Sequence, residues 1–430
     1  MLPISIRVNQ LGALRNSDIS IYPVMIFSGQ SGLGKSHLAL LVHYIYALLL
    51  SPLRLNAFFE QYFPYNTLHP KMQGKGEIVR FEKNKLECWM AEDAKSYLRE
   101  MLRCHSLPVD VRFFFDSKVP EHFVISYEEE LSGLTDNETV DVRLVCDSLS
   151  MLAVRQNLDL IQYDNRTVEK ESPFSFLTRH YLKQLLLSSY ESIKQDVILP
   201  PARAVALTEF VKVDKGLYKS YIDWLASASR TGERKADKYH KVAECLHAIM
   251  EGEVRLKDTL NYVYKMSKGT EVPVTVAASS VRELAPLQFL IENDPSGAVV
   301  LLEEPETNLH AEKQRKMAEI VSLLASYGAH LQITTHSDYF LRRINELIAL
   351  SRFAGDSELI SKIRERVDID EELAFPVDRI AHYILERREN GSSEAVEDSE
   401  IKDGLSFSAF KKAIIDGLEM SELFNDYDEN

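Results

Sequence analysis

The sequence lacks any closely spaced pair of cysteines. Its four cysteines are scattered along 430 residues without a C-x-x-C pair, at positions Cys88, Cys104, Cys146 and Cys245. This spacing is not that of a zinc site or of a disulfide framework. We therefore expect buried free thiols in a reducing compartment, and predict a cytoplasmic protein.

Long apolar runs are also missing. The most apolar run, residues 38–50, is interrupted by His43 and is shorter than the roughly 20 residues that span a bilayer. The first twelve residues, MLPISIRVNQLG, have no basic region followed by an apolar core, so we predict no signal peptide. We expect residues 38–50 to form a core helix, and we expect no membrane partner.

Basic residues are too few to balance the acidic ones. The chain has 50 Lys and Arg against 65 Asp and Glu, a formal net charge of -15. Proteins that make many contacts with nucleic-acid phosphates are usually basic. The acidic net charge therefore argues against such extensive contacts. A local basic groove is still compatible with this charge, so nucleic acid stays among the candidate partners. With 45% hydrophobic and 27% charged residues, the composition is that of a globular protein with two or three domains.

The most informative stretch is GQSGLGKS, which matches the pattern G-x-x-x-x-G-K-[ST]. The apolar run before it, residues 23–28, predicts a buried strand, and residues 37–50 after it predict a buried helix. In that context Lys35 would reach the β- and γ-phosphates of a nucleotide, and Ser36 would bind magnesium. The backbone of the loop would cradle the phosphates. The loop residues are Gly29, Gln30, Ser31, Gly32, Leu33 and Gly34.

A second cluster follows the continuous apolar run at residues 298–302. This run ends in Glu303 and Glu304, and the C-terminal end of a buried parallel strand is where an α/β sheet places its active site. Adjacent carboxylates can divide the work, one facing a metal and the other acting as general base. The next predicted strand, residues 330–335, ends at His336. We expect this imidazole at the same sheet edge, within reach of a γ-phosphate.

The remaining patterns predict four segments. They are an N-terminal lobe at 1–150, a mostly helical insertion at 151–271, a C-terminal lobe at 272–352 and a small tail at 353–430. Closely spaced strands between residues 77 and 147 predict an antiparallel subdomain. We also predict strands at 19–27, 86–90 and 380–385, a polar acidic loop at 389–400 and a final helix at 407–423.

Four motifs in this order resemble the ABC-type ATPases of the SMC-like branch. They are GQSGLGKS as Walker A, AASSVRELAPL as a signature-like stretch, VVLLEEPETNLH as Walker B, and ITTHSDYF with a switch histidine. The chain is most similar to the OLD-like AAA ATPases of bacteria and archaea, the AAA15/AAA21-type group, many of which sit in anti-phage defence operons. The segment ILPPAR and the tail from Arg379 also look like this group. The resemblance implies an α/β fold, an ABC-type P-loop ATPase head with a mixed sheet, an antiparallel subdomain, a helical insertion and an α+β tail.

The resemblance also implies a head-to-head dimer with two ATP molecules and Mg²⁺ at its interface. Ser279 would touch the γ-phosphate held by the other copy, and Asn308 would belong to the D-loop. Glu303 resembles the Walker B metal residue, which is usually Asp. Glu304 resembles the catalytic base, and His336 the switch.

The signature-like stretch departs from the family pattern. Ser280 and Val281 replace the glycines of LSGGQ, and a capping box of Ser280 with Glu283 explains the stretch equally well. The glutamine that would complete the magnesium site is unassigned, with Gln61 and Gln73 as candidates.

Two main functions follow. The first is an ATPase, with slow turnover compatible with the altered signature, that acts as sensor or regulator of a separate effector such as a nuclease or toxin. It would serve anti-phage defence or a toxin–antitoxin-like module. OLD nucleases carry a C-terminal Toprim domain with clustered acidic motifs, whereas the acidic residues of this tail fall in a polar loop. We therefore predict no built-in nuclease.

The alternative is an SMC- or recombination-repair-like ATPase for DNA maintenance. Such proteins need long coiled coils, and residues 148–271 show no sustained heptads. A transporter subunit is disfavoured by the Walker B frame and the mid-chain insertion. An ATP-binding scaffold with slow turnover remains open because of the altered signature.

Overall fold

The protein is described here as a computed structural model. The described residues are 1–63, 74–75, 79–132, 139–146, 149–155, 162–163, 166–167, 173–187, 193–208, 213–230, 236–258, 261–353, 358, 361–362, 370–398, 401 and 404–407. The α-helices are α1 (Lys35–Leu50), α2 (Pro52–Tyr62), α3 (Lys83–Met101), α4 (Pro173–Leu187), α5 (Val205–Thr208), α6 (Leu217–Ala228), α7 (His240–Met250), α8 (Ser279–Glu292), α9 (Ala311–Ser326) and α10 (Asp338–Arg352). The strands are β1 (Ile4–Leu11), β2 (Leu14–Ser20), β3 (Val24–Gly29), β4 (Gly74–Lys75), β5 (Val79–Glu82), β6 (Val109–Phe115), β7 (His122–Ser132), β8 (Thr139–Cys146), β9 (Leu149–Arg155), β10 (Gln162–Tyr163), β11 (Arg166–Thr167), β12 (Gln195–Leu199), β13 (Gly252–Leu256), β14 (Tyr262–Met266), β15 (Glu271–Pro273), β16 (Ala298–Glu303), β17 (His330–Thr335), β18 (Ile380–Arg387) and β19 (Ser393–Glu397).

The central feature is a nine-stranded mixed sheet in the order β12-β16-β17-β3-β18-β19-β2-β1-β6. The first five strands of this order are mutually parallel. The pairs β18–β19, β2–β1 and β1–β6 are antiparallel. The predicted α/β fold class with a mixed sheet is thereby confirmed.

The central strands are buried on both faces, which explains their continuous apolar sequences. Alternate residues of a strand point to opposite faces, so Met25 and Phe27 of β3 enter one core and Val24 and Ile26 the other. Helix α1 packs on the first face. Helices α8, α9 and α10 pack on the second, giving three layers with the sheet in the middle.

Smaller sheets surround this body. Strands β4, β5, β7, β8 and β9 form an antiparallel sheet, as the spacing of turn residues predicted. Strand β6, which lies between them in sequence, instead joins the edge of the central sheet. A third sheet holds β13, β14 and β15.

The prediction of one strand over residues 19–27 is wrong. Strand β2 ends at Ser20 and β3 begins at Val24, and the two lie in different parts of the sheet. Pro23 between them has no amide hydrogen and restricts the residue before it, so the chain leaves one strand and enters another there.

The predicted strand at residues 86–90 is also wrong, because this segment lies inside helix α3. Its buried residues Leu86, Trp89, Met90 and Ala94 recur at helical spacing, a period that a five-residue window does not reveal.

In the tail, the predicted strand at 380–385 is β18, but the predicted loop at 389–400 contains strand β19. Ser393 and Ala395 are buried on one face of β19, Glu394 lies on the other face, and Glu397 is exposed at the end of the strand. The final helix predicted at 407–423 lies outside the described residues, apart from Phe407.

The central sheet takes strands from all four predicted segments. Strand β12 comes from 151–271, β16 and β17 come from 272–352, and β18 and β19 come from 353–430. The four-segment division stays a prediction, but its segments share one sheet.

The described thiols are free, but they are not buried as predicted. Cys88 is exposed, and Cys104 and Cys245 are half-buried. Among the described residues, no single helix is long and apolar enough to cross a membrane, although the bent pair Lys35–Leu50 and Leu53–Tyr62 together meets that test on length and composition.

Candidate nucleotide-binding site

The glycine loop connects strand β3 to helix α1 at the carboxyl edge of the sheet. Gly29, with φ of 136°, and Gly34, with φ of 96°, have backbone conformations that residues with a Cβ rarely adopt. Between them Gln30, Ser31 and Gly32 are exposed and Leu33 is buried. The loop therefore presents its exposed backbone above the N-terminus of α1, where amides favour an anion.

Lys35, the first residue of α1, folds its side chain back over this loop. Its ammonium donates to the carbonyl oxygens of Gly29 at 2.9 Å and Gln30 at 2.8 Å. It also lies 3.3 Å from Nδ1 of His336. Burial lowers the pKa of Lys35 to about 8, against the raising effect of Glu304 and of a further glutamate, Glu306. Burial disfavours the charged form of Lys35, and an anionic ligand beside it would favour that form again.

His336 links the lysine to Glu304. Its Nε2 lies 3.0 Å from Oε1 of Glu304, and its Nδ1 faces Lys35. The hydrogen bond from His336 is the largest effect that lowers the pKa of Glu304. Three residues separated by up to 301 positions therefore form one continuous polar chain. The sheet order explains it, since β17, which precedes His336, lies between β16 and β3.

Glu304 itself sits in an unusual backbone conformation. Its φ is 44°, and its amide donates to the carbonyl oxygen of Thr334 at 3.0 Å. A positive φ at a residue other than glycine is uncommon and tends to occur at functional sites. This turn directs the Glu304 carboxylate away from the path of β16 and toward His336.

Glu303 faces the other way, toward the loop. It is buried, and its interaction with Ser36 opposes the effect of burial on its pKa. Burial raises the pKa of Glu303, whereas that of Glu304 is lowered. Environments that raise the pKa of one carboxylate and lower the pKa of its neighbour are typical of sites where the two have different roles.

The pair of Ser36 and Glu303 fits the predicted magnesium site. Hydroxyl and carboxylate oxygens are the ligands that Mg²⁺ prefers, and this ion usually takes one or two protein ligands together with water and phosphate oxygens. Within the described residues there is no group of three or more His, Cys, Asp or Glu side chains that could hold a metal alone. Ser36 and Glu303 would supply two oxygen ligands, the number that Mg²⁺ usually takes from a protein.

Glu306 is part of the site but was not selected from the sequence. One carboxylate oxygen accepts from the hydroxyl of Thr335 at 2.8 Å and from the amide of His336 at 2.6 Å. The other oxygen is buried without a hydrogen-bond partner. Glu306 thus holds the backbone of His336 in place. Its position two residues after Glu304, in the same turn, was the available signal.

Arg203, from the ILPPAR segment, was also missed as a site residue. Its side chain is only 1% exposed and donates to the carbonyl oxygens of Glu303 at 2.8 Å and Glu283 at 2.7 Å. It lies 3.7 Å from the Glu283 carboxylate. Arg203 therefore supports the end of β16 and joins it to helix α8. The arginine at the end of a proline-stiffened segment was the sequence signal.

Ser279 and Asn308 are not members of the polar chain formed by Lys35, His336 and Glu304. Ser279 opens helix α8 and is exposed, and Asn308 is exposed with φ of 61°. Their predicted roles concern a second copy of the chain and stay predictions. The capping box of Ser280 with Glu283 is not formed, since the N-cap is Ala278 without a side-chain bond and Glu283 lies beside Arg203.

Ser337, which follows His336, caps helix α10 by accepting from the amide of Phe340 at 3.0 Å. Of the candidate magnesium-binding glutamines, Gln61 is exposed near the end of α2, and Gln73 lies outside the described residues.

Fold and site together give a mixed α/β sheet protein whose glycine loop, two adjacent glutamates and a histidine meet at the carboxyl edge of the parallel strands. A family model described as "AAA domain, putative AbiEii toxin, Type IV TA system" matches residues 150–342, which is less than half of the chain. The matched range contains the two glutamates and His336 but not the glycine loop. No curated protein matches this chain by sequence.

Three solved structures similar to this chain are SMC heads. One is an Smc head bound to the C-terminal winged-helix domain of ScpA, with a TM-score of 0.38 and 11% identity over 95% of this chain and 98% of the other. The second is the SMC head domain from Thermotoga maritima, with a TM-score of 0.34 and 10% identity over 92% and 98%. The third is an Smc head with an extended coiled coil bound to the C-terminal domain of ScpA, from Pyrococcus furiosus, with a TM-score of 0.36 and 10% identity over 98% and 100%.

Proposed function

We propose that this protein binds ATP with Mg²⁺ at the glycine loop and hydrolyses it. The observation that carries the proposal is the polar chain from Lys35 through His336 to Glu304, at the edge where the loop meets α1. Its parts are a phosphate-binding cation, a carboxylate that can accept a proton and an imidazole between them.

Each residue has a defined task in this reaction. Lys35 exchanges its bonds to the loop carbonyls for bonds to the β- and γ-phosphates. Glu304 accepts a proton from water as the water oxygen bonds to the γ-phosphorus, and the bond to the β-phosphate oxygen breaks to release ADP. His336 contacts both Glu304 and Lys35 and holds their side chains in position.

Ser36 and Glu303 would hold Mg²⁺. When bound, this ion neutralises charge that develops on the phosphate oxygens. Glu306 and Arg203 act on backbone groups rather than on the nucleotide. They hold His336 and the end of β16 in position.

The test compares the wild type with Lys35→Ala and Glu304→Gln, and with Glu312→Gln as an exposed glutamate control on α9. Phosphate release and binding of a fluorescent ATP analogue are measured for each. We expect both site variants to lose turnover, only Glu304→Gln to retain the nucleotide, and the control to match the wild type. Wild-type turnover in Glu304→Gln, or a wild type that neither binds nor hydrolyses ATP, would refute the proposal.

At the level of the cell, the protein works in the cytoplasm as an ATP-gated regulator of a separate effector, in anti-phage defence or in a toxin–antitoxin-like module. The family description, which mentions a toxin and a Type IV system, supports this context. ATP closes a head-to-head dimer in which Ser279 of one copy approaches the nucleotide of the other. Slow turnover then sets how long the effector is restrained.

Light scattering of Glu304→Gln with ATP tests the dimer. We expect Glu304→Gln to form a dimer with ATP. Adding Ser279→Arg to this variant should abolish the dimer but leave nucleotide binding intact. The effector part is tested by expressing the adjacent reading frame with wild type or Lys35→Ala and measuring growth. If the purified chain itself cleaves DNA with added metal, a separate effector is unnecessary and this part of the proposal fails.

A further inference from the structure

The C-terminal hairpin, strands β18 and β19, touches the glycine loop at more than one point. Strand β18 runs parallel beside β3, with Leu385 in register with Gly29. A Cβ atom at Gly29 would lie 2.5 Å from the carbonyl oxygen of Leu385, so the two backbones approach as closely as glycine permits. On β19, the hydroxyl of Ser393 donates to the carbonyl oxygen of Leu33 at 2.7 Å.

The third contact, just before the loop, is a buried relay of three side chains, Ser28, His382 and Asp398. The hydroxyl of Ser28 lies 2.7 Å from Nε2 of His382, and Nδ1 of His382 lies 2.9 Å from the carboxylate of Asp398. A carboxylate partner places the imidazole proton on Nδ1, so Nε2 accepts from Ser28. Ser28 is 1% exposed and His382 is fully buried.

A similar order of serine, histidine and aspartate serves nucleophilic hydrolases, but here the serine is sealed inside the sheet. No substrate carbonyl can approach Ser28 in this position. The relay therefore acts on the backbone that follows it, which is Gly29 and the glycine loop.

Resting on the proposed function, we propose that the C-terminal hairpin forms one wall of the nucleotide site. In this wall His382, oriented by Asp398, is a positioning residue that fixes Ser28 and the start of the glycine loop. The amide of Ser406 also donates to Asp398 at 2.6 Å, and Leu405 is hydrogen-bonded to Asn345 of α10. The segment that follows β19 is thus tied both to the relay and to the helix that begins after His336.

The test uses the full chain with Ser28→Ala, Asp398→Asn and the double variant. Tyr46→Phe is the matched control, because it removes one hydroxyl bonded to a buried histidine, His330, at 3.1 Å at the opposite end of the sheet. Two quantities are measured, amide hydrogen exchange of residues 28–34 without nucleotide and the Kd of a fluorescent ATP analogue. Thermal unfolding checks that each variant is folded.

We expect Ser28→Ala to speed exchange in the loop and to raise the Kd about 5- to 10-fold, the loss that corresponds to one buried hydrogen bond. As a single substitution, Asp398→Asn should change both quantities. In the double variant it should add little to the effect of Ser28→Ala, because it acts through the same hydroxyl. The control changes neither quantity.

The inference is overturned if Ser28→Ala behaves like Tyr46→Phe, or if the effects of Ser28→Ala and Asp398→Asn simply add. A wild type that binds no analogue overturns the proposed function instead. The exchange rates then decide alone whether the hairpin positions the loop.

Discussion

Replacing Lys35 with methionine separates what this residue contributes to binding from what it contributes to stability. The side chain is 5% exposed, and its pKa is about 8 rather than 10.5. Keeping it charged in the folded protein at pH 7 therefore costs about 3 kcal/mol relative to the unfolded chain. Methionine has a similar length and no charge, so it removes this cost.

We expect Lys35→Met to raise the free energy of unfolding of the nucleotide-free protein by up to about 3 kcal/mol at pH 7. Saturating ATP, at about 100 times its Kd, should stabilise the wild type by about 2.7 kcal/mol and leave the variant unchanged. Urea denaturation with and without ATP measures both effects. Lys268→Met, at an exposed lysine, is the control.

The pH dependence has a defined sign. Between about pH 8 and 10.5 the unfolded chain retains the Lys35 proton that the folded protein has released, so wild-type stability rises with pH in this window. The difference between wild type and Lys35→Met should be largest below pH 8 and should vanish above 10.5. A variant less stable than the wild type at pH 7 would show that the bonds of Lys35 outweigh its desolvation, and the reasoning would fail.

Three other substitutions test separate parts of the structure. Gly29→Ala forces a Cβ against Leu385 and should destabilise the protein by about 1–3 kcal/mol from backbone strain, with loss of nucleotide binding, as seen by denaturation and analogue titration. Arg203→Met removes the donor to the carbonyl of Glu303 and the cation beside the carboxylate of Glu283, and should cost about 3–5 kcal/mol, whereas an unchanged urea midpoint would contradict this role. Burial lowers the pKa of His330 to about 4, so stability should fall by about 3 kcal/mol as pH drops from 6.5 to 4, and His330→Gln should remove this loss in a pH series of denaturation curves.

Local patterns determined the elements on which the site is built. The glycine loop between an apolar strand and an apolar helix, the glutamates at the end of one strand and His336 at the end of the next were all evident from spacing. Such features follow from the period of a strand or helix and from the conformational freedom of glycine. The errors fell where the local signal was ambiguous, as in the short apolar run 86–90 inside α3.

The sequence by itself determined which residue types are available for phosphate and metal chemistry, and the order in which they occur. Only the tertiary structure decided which strands are neighbours. Arg203 meets Glu303 across 100 positions and His382 meets Ser28 across 354, in each case because of where the strands or segments lie in the sheet. No periodicity encodes that order. It results from how all the buried faces pack together, so the supports of the site became visible only in the folded chain.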